Sequence, residues 1–235
     1  MGTRSEATAS AGEDAAAKPR SATERVYSLL KQDILTAHRT PESFLYEFEL
    51  AEEYGVSKTP VREALRLLAH EGWVTVLPRK GYLVRSLRLE DVHDIFEVRQ
   101  MIEPPMAATA AERATDQDKQ ELEALLLTQE QATDAEAAFH AATGFHLAIA
   151  RISRNARAEK ILGELMDELY RMRYLAPWLD NRLQESDELT GHRSILDAIL
   201  SGDTEAARQT MDGHSRESLR KKVIGLGSLG TTGPP

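Results

Sequence analysis

The sequence predicts a mainly α protein, an N-terminal winged helix-turn-helix followed by a C-terminal all-α helical bundle. Three observations carry this expectation. Gly55–Arg66 reads as a tight turn, an N-cap and a short helix with a basic outer face. Two short segments that alternate in the manner of strands follow it, Trp73–Leu77 and Tyr82–Arg85, joined by the turn Pro78-Arg79-Lys80-Gly81. From residue 88 to residue 222, apolar residues recur at three- and four-residue steps and no segment alternates.

In chain order, residues 1–21 are rich in Ala, Ser, Thr, Gly and charge and predict a disordered leader. The winged helix-turn-helix is expected over 22–87. Val26, Leu29, Leu30, Ile34 and Leu35 form the inner stripe of a first helix, and Thr36–Tyr46 is a connector. Glu47–Tyr54 is a second short helix stopped by Gly55. The third helix has a hydroxyl cap at Ser57, Pro60 in its first turn, and Val61, Ala64, Leu65 and Leu68 facing inward until Gly72. That leaves Lys58, Thr59, Arg62 and Arg66 outward, chemistry suited to phosphates and base edges in a major groove. Arg79 and Lys80 sit at the tip of the hairpin, where a wing meets the DNA backbone.

An all-helical domain for effector binding and dimerisation is expected over 88–223. Its first helix carries Leu89, Val92, Ile95, Phe96, Val98 and Ile102, and Pro104-Pro105 is expected to kink or restart it. Further helices are expected over Met106–Ala114, Asp116–Ala132, His140–Ile152, Lys160–Leu175, Leu189–Leu200 and Thr204–Val223. Asn155 and Asp203 are expected caps, and Pro177 a stop. Residues 224–235 are Gly- and Pro-rich and predict a disordered tail.

Composition bounds the function. The chain of 235 residues has no cysteine, which excludes disulfides, thiolate metal sites and cysteine nucleophiles. No apolar run reaches the roughly 20 residues of a membrane span, and a cytoplasmic protein without membrane partners is expected. The net charge of −9 looks unsuited to a nucleic-acid binder until it is divided. Residues 88–235 hold 17 basic against 26 acidic side chains, the whole of the excess. Residues 57–88 hold seven Lys/Arg against two Glu, a local +5 on the third helix and the hairpin.

The run from Leu50 to Leu65, with Glu71-Gly72-Trp73 and Gly81, resembles the DNA-binding domain of GntR-type bacterial transcriptional regulators over about residues 22–87. The resemblance implies operator contacts from Lys58, Thr59 and Arg62, and a place for Gly81 in the wing. The family often has Gly after the first helix and a Pro-Gly pair further on, where this chain has Ala37 and Pro41-Glu42. Downstream, the order of Phe96–Arg99 with Glu103, Phe145-His146 with Asn155, His192 with Ile195–Ile199 and Gly202-Asp203, and then His214 resembles the FCD ligand-binding domain of the FadR subfamily. That implies a homodimer on double-stranded operator DNA, acting as a repressor whose affinity responds to a small carboxylate effector.

The seven histidines are His38, His70, His93, His140, His146, His192 and His214, and no helix offers an i, i+4 pair of them. The resemblance implies a divalent metal, zinc or nickel, held by His146, His192 and His214. The Asp expected four residues before the first of these is Ala142, so one anionic ligand is missing and an anionic effector is favoured. His140 points about 200° away on a continuous helix, and Asp134 or Glu136 would have to return from a preceding loop. Arg99, on an otherwise apolar stripe, could clamp an effector carboxylate or pair with Glu103 at i+4. The candidate effector-binding residues are Arg99, His146, His192 and His214. Arg171, Arg173, Tyr174 and Trp178 either line a pocket or form an exposed helix end. The rival classes are a ligand-independent DNA binder and a metal-dependent enzyme. The chain shows no Gly-rich phosphate loop and no G-x-S-x-G elbow.

Overall fold

A computed structural model describes residues 21–176 and 185–227. The order is α1 (Ala22–Leu35), β1 (Phe44–Leu45), α2 (Glu47–Glu53), α3 (Lys58–His70), β2 (Val74–Leu77), β3 (Gly81–Val84), α4 (Leu89–Arg113), α5 (Asp116–Glu130), α6 (Ala135–Ile152), α7 (Ala156–Leu175), α8 (Glu185–Ser201) and α9 (Thr204–Gly227). The N-terminal part is a winged helix-turn-helix and the rest is a helical bundle. The last helix runs to Gly227, past the expected start of the tail, and most of both termini lies outside the described residues, as do Pro177 and Trp178.

In the head, Val26, Leu30 and Ile34 of α1 pack on Leu50 of α2, on Val61, Leu65 and Leu68 of α3, and on Val74 and Val84 of the hairpin. Ser21 and Glu24 form a capping box at the start of α1, satisfying two N–H groups at once. The connector before α2 is not wholly irregular. Phe44-Leu45 forms a third strand antiparallel to β3, giving the sheet order β1-β3-β2 with Leu45 opposite Tyr82. Two residues are too few to show alternation in a sequence, and pairing with β3 alone holds them.

The loop departs from glycine where the backbone needs it. Ala37 has φ 57° and Glu42 φ 63°, both left-handed. Glu42 is held there by its N–H bonding Val84 O at 2.9 Å. Each non-glycine residue in this region carries a steric cost of about 1–2 kcal/mol.

The body departs from expectation at Pro104-Pro105. Both lie inside one continuous helix, α4, which neither stops nor restarts there. The missing N–H groups would have bonded the carbonyls of Gln100 and Met101. Met101 and Pro105 are exposed, while Glu103, Pro104, Met106 and Ala107 pack inward. Asn155 caps α7 by accepting from Ala158 N, and Asp203 accepts from Ala206 N at the start of α9, both as expected.

Helix α7 joins head and body. Leu162, Met166 and Leu169 belong to the body's core, with Phe96 and Met172. Its next-door residues meet the head: Tyr170 packs into the head's core, Asp167 pairs with Lys31 at 2.8 Å, and Arg171 Nη2 donates to Arg85 O. Replacing Ala37 or Glu42 with glycine removes the Cβ penalty. Each substitution is expected to stabilise the protein by about 1 kcal/mol, less the entropy glycine adds to the unfolded chain, read as a higher Tm with unchanged secondary structure.

Candidate functional site

Two surfaces concentrate the chemistry. On the head, α3 buries Val61, Ala64, Leu65 and Leu68 and leaves Lys58, Thr59, Arg62 and Arg66 exposed, as the periodicity predicts. Ser57 occupies the N-cap position but its hydroxyl makes no capping hydrogen bond, contrary to expectation. The first-turn N–H groups are therefore not tied up by the cap, and they lie at the positive end of the helix dipole. Arg62 is held by Glu47 of α2, Nε at 3.0 Å and Nη2 at 2.8 Å, and Arg66 Nη1 donates to Glu63 at 3.0 Å. In the wing, Lys80 N closes the turn on Leu77 O at 2.9 Å, and Arg79 adopts φ 64°. Gly81 has φ 102°, and a Cβ there would lie 2.8 Å from Leu45 O, so only glycine lets the wing strand pass β1 this closely.

The second site is buried in the body. His146 on α6, His192 on α8 and His214 on α9 come together, with ring centroids 4.6 to 5.3 Å apart. All three are buried, His192 completely. His146 Nε2 and His192 Nε2 lie 3.1 Å apart.

The partners of the outer nitrogens set the tautomers. His192 Nδ1 is 2.7 Å from Gln129 Oε1, an acceptor, so Nδ1 carries the proton and Nε2 is bare. His146 Nδ1 lies 3.0 Å from Glu103 Oε2, at an angle short of good hydrogen-bond geometry, and a carboxylate there favours a proton on Nδ1. Both Nε2 lone pairs then face each other, an arrangement that calls for a proton or a metal cation between them. His214 Nε2 is buried with no hydrogen-bond partner. Three imidazoles with an orphaned nitrogen among them fit a borderline-soft divalent cation.

Glu103 is 1% exposed and accepts from Arg99 Nε at 2.6 Å. Burial alone would raise its pKa, but Arg99 and then His146 outweigh it and hold the carboxyl well below the usual range. Of the two sequence readings of Arg99, the structure shows the pairing with Glu103, and its charge is engaged there. Arg99 still lines a cavity of about 80 Å³ with Phe96, Ala142, Thr143, His146 and Arg173. Arg173 also stacks over Phe139 at 4.7 Å. Ala142 thus opens onto empty space beside His146. His140 is exposed near Glu136, and Asp134 caps α6 through Ala137 N, so neither approaches as a substitute ligand. Arg171 Nη2 donates to Arg85 O while its Nε is buried without a hydrogen-bond partner, and Tyr174 hydrogen-bonds Tyr170.

The sequence reading missed Gln129 and Gly191. A Cβ on Gly191 would fall 2.5 Å from His214 Nδ1, so the bare backbone of α8 is what admits that ring. The available signal was a glycine inside a helix, which costs about 1 kcal/mol against alanine and so needs a reason.

Both parts of the chain match known families. Residues 22–84 match the family described as bacterial regulatory proteins, gntR family, and residues 94–217 match the FCD domain. The chain belongs to the GntR family of transcriptional regulators, in its FCD-domain branch, and it is a DNA-binding regulator of transcription. It is 32% identical to the Uxu operon regulator of Haemophilus influenzae, over 87% of this chain and 83% of that protein. It is 27% identical to the HTH-type transcriptional repressor RspR of Escherichia coli, over 83% of this chain and 86% of the relative. Among solved structures, E. coli McbR/YncC superposes with a TM-score of 0.70 at 25% identity, covering 89% of this chain and 99% of that one. No described helix is long and apolar enough to cross a membrane.

Two outcomes follow from the buried cluster. Burial, then the positive field of His146 and Arg99, pushes His214 down to about 3, and burial pushes His192 well below its usual value. An unfolded histidine titrates near ~6.5, so below that pH the unfolded chain binds more protons than the folded one. Metal-free protein should therefore lose stability as pH falls from about 6.5, by up to about 1.4 kcal/mol per pH unit per histidine, with Glu103 adding to the loss only at lower pH. Thermal melts between pH 7.5 and 5.5 read this, and His214→Gln should flatten the curve. Separately, Gly191→Ala should displace the His214 ring and lower the Tm, while far-UV circular dichroism stays helical.

Proposed function

We propose that this regulator is a cytoplasmic, homodimeric repressor of the FadR subfamily whose operator affinity is set by a small carboxylate effector bound at the histidine cavity. The observation that carries the reading is the buried triad of His146, His192 and His214, of which His146 lines a cavity that Ala142 also lines. Zinc or nickel bound there would be held by the three imidazoles and would offer open positions to oxygen donors. The effector's carboxylate would take the place of the missing side chain at Ala142. Arg173 lines the cavity and adds positive field for an anion, Glu188 also lines it and opposes that field, and Phe96 and Phe139 bound its apolar side. The cavity has room for a few heavy atoms, which points to a short acid. The similarity to RspR, named a repressor, supports repression.

The mechanism uses two-fold symmetry. Two bodies pair, two α3 helices enter successive major grooves of a palindrome, and effector binding changes the disposition of the heads. The groove lined by Met101, Pro105 and Met106 of α4 and by Arg154 and Arg157, about as polar as it is apolar, offers the body a face for such pairing.

Untagged protein purified or loaded with Zn²⁺ or Ni²⁺ should hold about one metal per chain by elemental analysis. A thermal-shift screen of small carboxylates should then find one that stabilises the loaded protein and lowers operator affinity. Absence of metal after loading, or of any carboxylate response, would overturn the reading. Ala142→Asp should tighten metal about tenfold or more and blunt the carboxylate response, since the protein then supplies the ligand itself. On the head, Arg62→Ala should cost about 1–3 kcal/mol of operator binding and relax base preference at matched salt, measured by fluorescence anisotropy.

A further inference from the structure

The head carries a second feature that its basic side chains do not explain. Phe44, Tyr46 and Phe48 follow one another at every second residue and stand 46%, 37% and 56% exposed. Their rings form a row. Phe44 stacks on Tyr46 with centroids 6.0 Å apart and planes 8° from parallel, and Tyr46 meets Phe48 at 6.1 Å. A contiguous exposed aromatic ladder of this kind is expensive in water and ordinarily marks a contact surface.

Its place in the fold names the contact. The ladder begins on β1, which pairs with wing strand β3, and ends in the first turn of α2. The Tyr46 ring lies against Gly81, next to the tip of the wing, with Cδ1 3.2 Å from where a Cβ would stand. Glu47, between Tyr46 and Phe48, is bound to Arg62 of α3, and Arg66 and Lys58 also lower its pKa. The ladder therefore bridges the wing and the recognition helix on the head, flanked by their cations, and its one acid is neutralised by Arg62. We propose that this ladder, led by Phe48 and Tyr46, is part of the DNA interface and packs against apolar carbon of the operator, either deoxyribose or thymine methyl groups. Such carbon lies exposed along the groove walls between the phosphates that the cations would hold. The contact would add affinity that does not depend on salt.

The test uses full-length protein and the duplex it enriches from a random-sequence library. Phe48→Ala and Tyr46→Ala, both at exposed positions, should melt like wild type. Each should weaken binding to that duplex by about tenfold, with an unchanged slope of log affinity against log salt. Arg62→Ala is the control, lowering both affinity and slope, so a misplaced DNA face and a silent ladder are told apart. Replacing thymine by deoxyuridine in the duplex separates the two sources of carbon. If the wild type loses the same factor and Phe48→Ala loses nothing more, the contact is to methyl groups; if the replacement has no effect on wild type, it is to deoxyribose. Wild-type affinity in both variants across the salt series would overturn the proposal. So would a changed sedimentation coefficient of the free protein with DNA affinity per dimer retained, which would make the ladder a protein–protein surface.

Discussion

A single buried carboxylate holds the body's interior together. Glu103 has no access to water, and it is stable there only because Arg99 lies one turn before it on α4 and His146 reaches it from α6. Removing Arg99 would leave a buried charge uncompensated, at a cost of about 3–5 kcal/mol. The same carboxylate fixes which nitrogen of His146 turns toward the other histidines. Gln129 does the corresponding work for His192 from α5, so four helices contribute to the orientation of two rings. A catalytic or binding cluster is only as well defined as its supporting shell, and here that shell is dry and charged.

This arrangement also accounts for the composition of α4. A helix with Arg, Glu and two prolines on or near its buried face is a poor candidate for a central element by propensity. It is central because tertiary packing overrides local preference: Arg99 and Glu103 are buried as a pair, and Pro104, Met106 and Ala107 pack into the interior beside them.

How much of this was legible in the chain depends on the range of the interaction. The recognition helix was readable from neighbours alone, since Gly55 and Gly72 punctuate it and Val61, Ala64, Leu65 and Leu68 mark its inner face. The wing was readable from its alternation and turn. The strand at Phe44-Leu45 was not, because it exists only through pairing with residues almost forty positions later. His146, His192 and His214 were picked out by their order along the chain, whereas Glu103 as the second partner of His146, Gln129 and Gly191 reveal their roles only when helices distant in sequence touch. Ser57 shows the opposite failure: local chemistry suited to a cap, left unused by the hydroxyl.

Helix α7 has a mechanical consequence. Met166, Leu169 and Arg173 line the histidine cavity, while Asp167, Tyr170 and Arg171, interleaved with them on the same two turns, grip the head. Residues that share two turns of a hydrogen-bonded cylinder have almost no independent freedom. A displacement of the α7 backbone at the cavity would therefore carry its head-facing residues with it. Head and cavity are then opposite rims of one wheel.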